Sequence, residues 1–231
     1  MNEKNPNKKT SYGLEIGLFC NKITNKLFTG RPALFLDRDG VIVEETNYLH
    51  LVKDIKFIPQ VANYVARANQ LEIAVILVTN QSGIGRGYYK WHEFESVQKH
   101  IQEHYQTYEA QFDLVMACAY HSEGIDHYRV ANHSWRKPNS GMLIEAASLL
   151  QIDLSRSFIV GDSLSDLAAG ATAGLHSGAL VETGHGKNDW ELNNGASRFA
   201  AWRASGRFTP LRASDAAAAI EQWICSTNTL V

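Results

Sequence analysis

Five short apolar runs alternate along this chain with stretches whose apolar positions recur every three to four residues. The runs at 33–37, 74–79, 114–119, 158–161 and 177–182 predict buried strands. Val61, Tyr64, Val65 and Ala68 share one face of a helix predicted over 61–71. Further helices are predicted over 91–108, 141–150 and 164–173, the last rich in alanine. Such alternation argues for an α/β fold in three layers, with a mainly parallel sheet covered by helices on both faces.

The ends of the chain carry weaker patterns. Residues 1–10 are polar and rich in Asn and Lys, a composition that predicts disorder. Leu14, Ile16, Leu18, Phe19, Ile23 and Leu27 predict a short packed arm over 14–28, without an assignable role. Residues 187–207, with Gly195, Gly206, Trp190 and Trp202, read as an irregular excursion. A closing helix is predicted over 214–225, with Ser214 as its N-cap. The expected organisation is an N-terminal arm over 1–31, a core over 32–186, and an excursion with a closing helix over 187–231 in the same domain.

Composition narrows the setting. With 231 residues and 45% hydrophobic content, one domain with a full core is expected. The net charge of -2 makes no electrostatic case for nucleic acid or an anionic membrane. Cys20, Cys118 and Cys225 are sparse and odd in number, which suggests a reducing compartment. No run is long enough to span a bilayer, and residues 1–10 lack the apolar middle of a signal peptide. A cytoplasmic monomer is the expectation.

The candidate chemistry lies at the strand ends. After 33–36 come Asp37, Arg38, Asp39 and Gly40, giving one carboxylate that can attack and another that can carry a proton. The alternative is a plain turn, where Asp and Gly are common. After 75–78 come Thr79 and Asn80, whose hydroxyl and amide can donate to phosphate oxygens. Arg136-Lys137-Pro138 precedes a predicted helix, and Lys137 can neutralise both an attacking carboxylate and a phosphate. Alone, such a pair would be a solvated basic patch. After 158–161 come Asp162 and Asp166. With Asp37 and Asp39, Asp162 could build an all-oxygen Mg²⁺ site. Asp166 is equally an ordinary helix-start aspartate.

The four motifs, in this order, resemble the haloacid-dehalogenase-like (HAD) phosphohydrolases. The longer strings Leu36-Asp37-Arg38-Asp39-Gly40-Val41-Ile42, Asn47-Tyr48-Leu49, Thr79-Asn80-Gln81-Ser82-Gly83-Ile84-Gly85-Arg86-Gly87 and Gly141-Met142-Leu143 are similar to those of the D-glycero-D-manno-heptose 1,7-bisphosphate phosphatases and related histidinol-phosphate phosphatases. The resemblance spans about residues 32–186. It implies a HAD-like Rossmannoid sandwich without a large cap domain, and indeed no gap between the first two motifs could hold one. It implies Asp37 as nucleophile, Asp39 as acid and base, and Lys137 as their charge partner. Mg²⁺ would be held by Asp37, the Asp39 carbonyl and Asp162. Arg38, Thr79, Asn80, Arg86 and Arg136 become candidates for binding the phosphoryl group and the rest of the substrate.

Two departures stand out. Many members carry a Cys/His zinc loop before the third motif. Here only Cys118 matches, and His121, His127 and His133 make no closed four-ligand set. Structural zinc is not expected, and Tyr120 and Trp135 are expected to fill its place. Ser163 stands where the family often has Lys or Arg, which bears on how the distal part of the substrate is held. The expected activity is Mg²⁺-dependent hydrolysis of a small sugar phosphate, most specifically the 7-phosphate of the heptose bisphosphate. The alternatives are histidinol phosphate or another small phosphate ester, and a catalytically silent binding protein. A phosphotransferase would need a cap to exclude water.

Overall fold

The computed structural model describes residues 15–227. The disorder expected of residues 1–10 falls outside them. Seven strands form one sheet: β1 (Leu18–Lys22), β2 (Ala33–Leu36), β3 (Ala74–Asn80), β4 (Leu114–Cys118), β5 (Phe158–Gly161), β6 (Ser177–Val181) and β7 (Thr209–Ala213). Their order is β1-β4-β3-β2-β5-β6-β7. Every pairing is parallel except β1 with β4. The eight helices described are α1 (Val61–Gln70), α2 (Ser82–Gly85), α3 (Trp91–Gln106), α4 (Gly141–Leu150), α5 (Leu164–Ala173), α6 (Gly186–Leu192), α7 (Gly195–Ser205) and α8 (Ala216–Thr227).

Alternation along the strands builds two cores. Leu34, Leu36, Val75, Leu77, Val115 and Val160 face one layer, with Val65 of α1, Val97 of α3 and Ile220 of α8. Phe35, Ile76, Val78, Met116 and Ile159 face the other, with Leu143 of α4 and Leu167 of α5. This gives three layers, with the central strands buried on both sides. None of the described helices is long and apolar enough to cross a membrane.

The ends of the chain differ from their reading. The described part of the 14–28 arm supplies β1, which extends the sheet past β4 in register Leu18 to Cys118. The stretch read as an irregular excursion holds α6 and α7, and β7 follows them to close the opposite edge. Asp189 of α6 caps α5: its carboxylate accepts from the Leu164 amide at 2.5 Å and from Ser163 Oγ at 3.1 Å. The C-terminal segment therefore packs as part of the same sheet and holds the start of a helix beside the strand ends.

Candidate active site

Strand β2 is flanked by β3 and β5, and all three run the same way, so their carboxyl ends open onto one crevice. A cavity of about 420 Å³ lies there, lined by Asp37, Asp39, Thr79, Asn80, Lys137 and Asp162 among others. Residues from four separate loops thus meet at one point.

Asp37 follows β2, and its amide donates to Val160 O at 3.0 Å. Its Oδ1 accepts from the Arg38 amide at 2.7 Å and lies 3.1 Å from Lys137 Nζ. Lys137 is 3% exposed. Its ammonium also meets Asp166 Oδ1 at 2.5 Å and donates to Val78 O at 2.8 Å. Burial opposes the charge, but Asp166 and Asp37 outweigh it and hold Lys137 above its usual range. Asn80 spends both ends of its amide on Lys137, donating to its carbonyl at 3.0 Å and accepting from its N–H at 3.1 Å. Its visible role is to hold the lysine.

Asp37, Asp162 and Asp166 bring carboxylate oxygens within 4.8 Å of one another. Burial, then Asp37 and Asp166, push Asp162 well above the ordinary carboxylate range. Burial pushes Asp166 up to about 6, against the pull of Lys137. Three carboxylates against one ammonium leave excess negative charge. A hard divalent cation among those oxygens would relieve it, so the donor set fits Mg²⁺. Asp162 Oδ2 accepts from the His185 amide at 2.8 Å, and Gly40 at φ 76° leaves room for that carboxylate, since a Cβ there would collide with it. Asp166 is also the third residue of a capping box with Ser163. It is both a helix-start residue and a member of the charged cluster.

Asp39 points elsewhere. Arg38 donates to its carboxylate at 2.9–3.2 Å through Nε and one terminal nitrogen, and Gln81 Nε2 donates at 3.1 Å.

None of the three arginine candidates lines the cavity. Arg38 is fully buried over the Phe94 ring, with its fork turned onto Asp39, so it does not reach the cavity. Arg86 pairs with Glu123 at 2.8 Å and donates to the Tyr48 hydroxyl at 2.9 Å, and is not among the lining residues. Arg136 donates to Tyr120 O at 2.9 Å and lies outside the lining. The lining adds residues the motifs did not single out: Glu45, Gln81, Tyr89, Ser165 and His185. Gln81 belongs to the same Thr79-Asn80-Gln81-Ser82-Gly83 stretch as the phosphate-binding candidates. Glu45 and His185 meet only through the fold, with His185 Nε2 3.8 Å from Glu45 Oε2 across the mouth. Burial and Asp39 raise the Glu45 carboxyl above its ordinary value. Asn47 and Tyr48 on the same rim have φ of 53° and 70°, a strained pair of left-handed residues at the opening.

The loop ahead of Lys137 is held by side-chain contacts. The Tyr120 and His133 rings are 4.5 Å apart, His133 Nε2 lies 3.4 Å from Glu15, and Trp135 is buried.

Comparison with known proteins agrees with this architecture. The HAD-hydrolase-like family model matches residues 134–201. A D-glycero-beta-D-manno-heptose-1,7-bisphosphate 7-phosphatase of Mesorhizobium japonicum is 44% identical over 169 residues, covering 73% of this chain and 78% of that protein. A crystal structure of a putative HAD-like phosphatase from Mesorhizobium loti superposes with a TM-score of 0.76 at 36% identity, covering 94% of this chain and 95% of that one. The D,D-heptose 1,7-bisphosphate phosphatase of B. bronchiseptica, solved with magnesium and phosphate, has a TM-score of 0.68 at 27% identity, covering 84% and 99%. Fold and matches together define a phosphoric monoester hydrolase of the HAD superfamily. Within it, the chain belongs to the family of D-glycero-D-manno-heptose-1,7-bisphosphate 7-phosphatases.

Proposed function

We propose that this enzyme removes the 7-phosphate of D-glycero-D-manno-heptose 1,7-bisphosphate in a Mg²⁺-dependent reaction. The observation that carries the reading is the Asp37 carboxylate, 3.1 Å from a buried Lys137 and beside the Asp162–Asp166 cluster. The substrate follows the relative named for that activity and the neighbour solved with magnesium and phosphate.

Asp37 attacks phosphorus while the bond to the sugar oxygen breaks, leaving an aspartyl-phosphate. Asp39 gives its proton to the departing oxygen, then takes one from the water that attacks the intermediate. Phosphate leaves and both carboxylates return to their starting states. Lys137 neutralises Asp37 and the phosphoryl oxygens, and Thr79 donates to those oxygens. Asp37, the Asp39 carbonyl and Asp162 would hold Mg²⁺, which offsets the repulsion between carboxylate and phosphate when bound. Asn47, Tyr48 and His185 on the rim meet the distal part of the sugar, with Arg86 acting through Tyr48. The free cysteines support a reducing, cytoplasmic setting.

The test is phosphate release from both heptose bisphosphate anomers, fructose 1,6-bisphosphate and histidinol phosphate, with and without Mg²⁺. Heptose bisphosphate is expected to be preferred, with activity lost in Asp37→Asn. Preference for histidinol phosphate would transfer the assignment to that ester. Substantial Mg²⁺-dependent turnover by Asp37→Asn would remove the nucleophile.

A further inference from the structure

Gln81 follows β3, is 2% exposed, and has its amide orientation set by its neighbours. Its Oε1 accepts from the Tyr89 hydroxyl and, at 3.2 Å, from Arg38. Arginine only donates, so the atom facing it must be the oxygen. The amide nitrogen is thereby turned to Asp39 Oδ2 at 3.1 Å and to Thr79 Oγ1 at 2.9 Å.

Two consequences reach the cavity. Because Thr79 Oγ1 accepts from Gln81, its own proton is free for an acceptor in the cavity. Asp39 is gripped by Arg38 on one side and Gln81 on the other, which restricts where its carboxyl can swing.

Tyr89 completes the arrangement. It is 4% exposed, and its ring stacks on His50 with centroids 5.4 Å apart. Its hydroxyl donates to Gln81 and makes no hydrogen bond to Asp39 or Thr79. We infer that Tyr89 is a positioning residue: through Gln81 it aims the Asp39 carboxyl at the leaving oxygen. Burial pushes the phenol up to about 12, so it stays a donor at neutral pH.

The inference rests on the sugar-phosphate reading above, and leaving-group dependence tests it. A sugar alkoxide needs a proton from Asp39 to depart, whereas p-nitrophenolate leaves without one. A tyrosine that only fills space would affect both substrates alike. Tyr89→Phe is expected to lose roughly tenfold in kcat on heptose 1,7-bisphosphate with KM within about twofold, and less than about twofold on p-nitrophenyl phosphate. Gln81→Met should show the same pattern more strongly. Thermal melting of both variants checks that they are folded. Equal losses on the two substrates, a loss in KM alone, or no loss would overturn the role of Tyr89 while leaving the substrate intact. A wild-type enzyme inactive on heptose bisphosphate but active on another alkyl phosphate would overturn the substrate, and the same ratio measured on that ester would still decide the role of Tyr89.

Discussion

The Tyr120 hydroxyl donates to Glu15 Oε2 at 2.9 Å, joining the loop ahead of Arg136 to the chain just before β1. Gly17 makes the approach possible, because a Cβ there would run into the Tyr120 ring. This clasp lies in the loop where the resemblance read from the sequence would place zinc. Tyr120→Ala should lower stability by about 3 kcal/mol, as for other buried aromatics. Tyr120→Phe should cost only about 1 kcal/mol, the worth of one hydrogen bond. Urea melts of both variants check this, and a zinc chelator should leave the wild-type melt in place. A melting temperature that falls with the chelator would mean that metal, not packing, holds the loop.

The proposed Mg²⁺ site among the crowded carboxylates should be readable in stability. At about 100 times its Kd, a bound ion adds about 2.7 kcal/mol, which for a chain of this size raises Tm on the order of 5–10 °C. Asp162→Asn removes one of three mutually repelling carboxylates. The variant should melt higher than wild type in EDTA and respond less to Mg²⁺. Differential scanning calorimetry at several Mg²⁺ concentrations reads both effects. Identical Mg²⁺ responses in the two proteins would take Asp162 out of the binding set.

Away from the site, Asp113 gives a pH signature. It is 1% exposed; Oδ2 accepts from the Val75 amide at 2.9 Å, and Oδ1 is buried without a hydrogen bond. Burial pushes its carboxyl up to about 6 from 3.8. Below about pH 4 both folded and unfolded chains hold the proton. Above about pH 6 the folded chain must carry a buried charge. The stability from this group is present at low pH and lost as pH rises between those values, by on the order of 2–3 kcal/mol. Asp113→Asn keeps an acceptor for Val75 and escapes the loss. Its stability relative to wild type should therefore grow from pH 4.5 to pH 7 in paired urea melts. A difference that does not change with pH would show that Asp113 is not buried as a charge.

How much of this was legible in the sequence follows from how local each signal is. The central strands β2 to β6 announce themselves because both faces are buried, which leaves continuous apolar runs such as residues 74–78. The edge strands do not. β7 reads Thr-Pro-Leu-Arg-Ala and buries only Pro210 fully, while β1 mixes Leu18 and Cys20 with Asn21 and Lys22. Helix α7 hides because only Gly195 and Phe199 are buried, too narrow a stripe to mark a period. At the site, Asp37, Asp39, Thr79, Lys137 and Asp162 follow strands or precede a helix, where position in the pattern carries meaning. Glu45 and His185 face each other from loops 140 residues apart in the chain, so no local pattern could pair them. The partners of the arginines were hidden for a related reason. A charge that could meet phosphate was instead taken up by Asp39, Glu123 or a loop carbonyl.

The strand order has a further consequence for how activity arises. Asp37 sits at the end of β2, Thr79 near the end of β3, Lys137 beyond β4, and Asp162 after β5. No contiguous fragment shorter than the span from the first of these to the last contains the constellation. Partial unfolding of any one neighbour of β2 removes a member of it. By the proposed mechanism, a refolding chain should therefore regain turnover only once β2 has paired with β3 and β5, after its helices have formed.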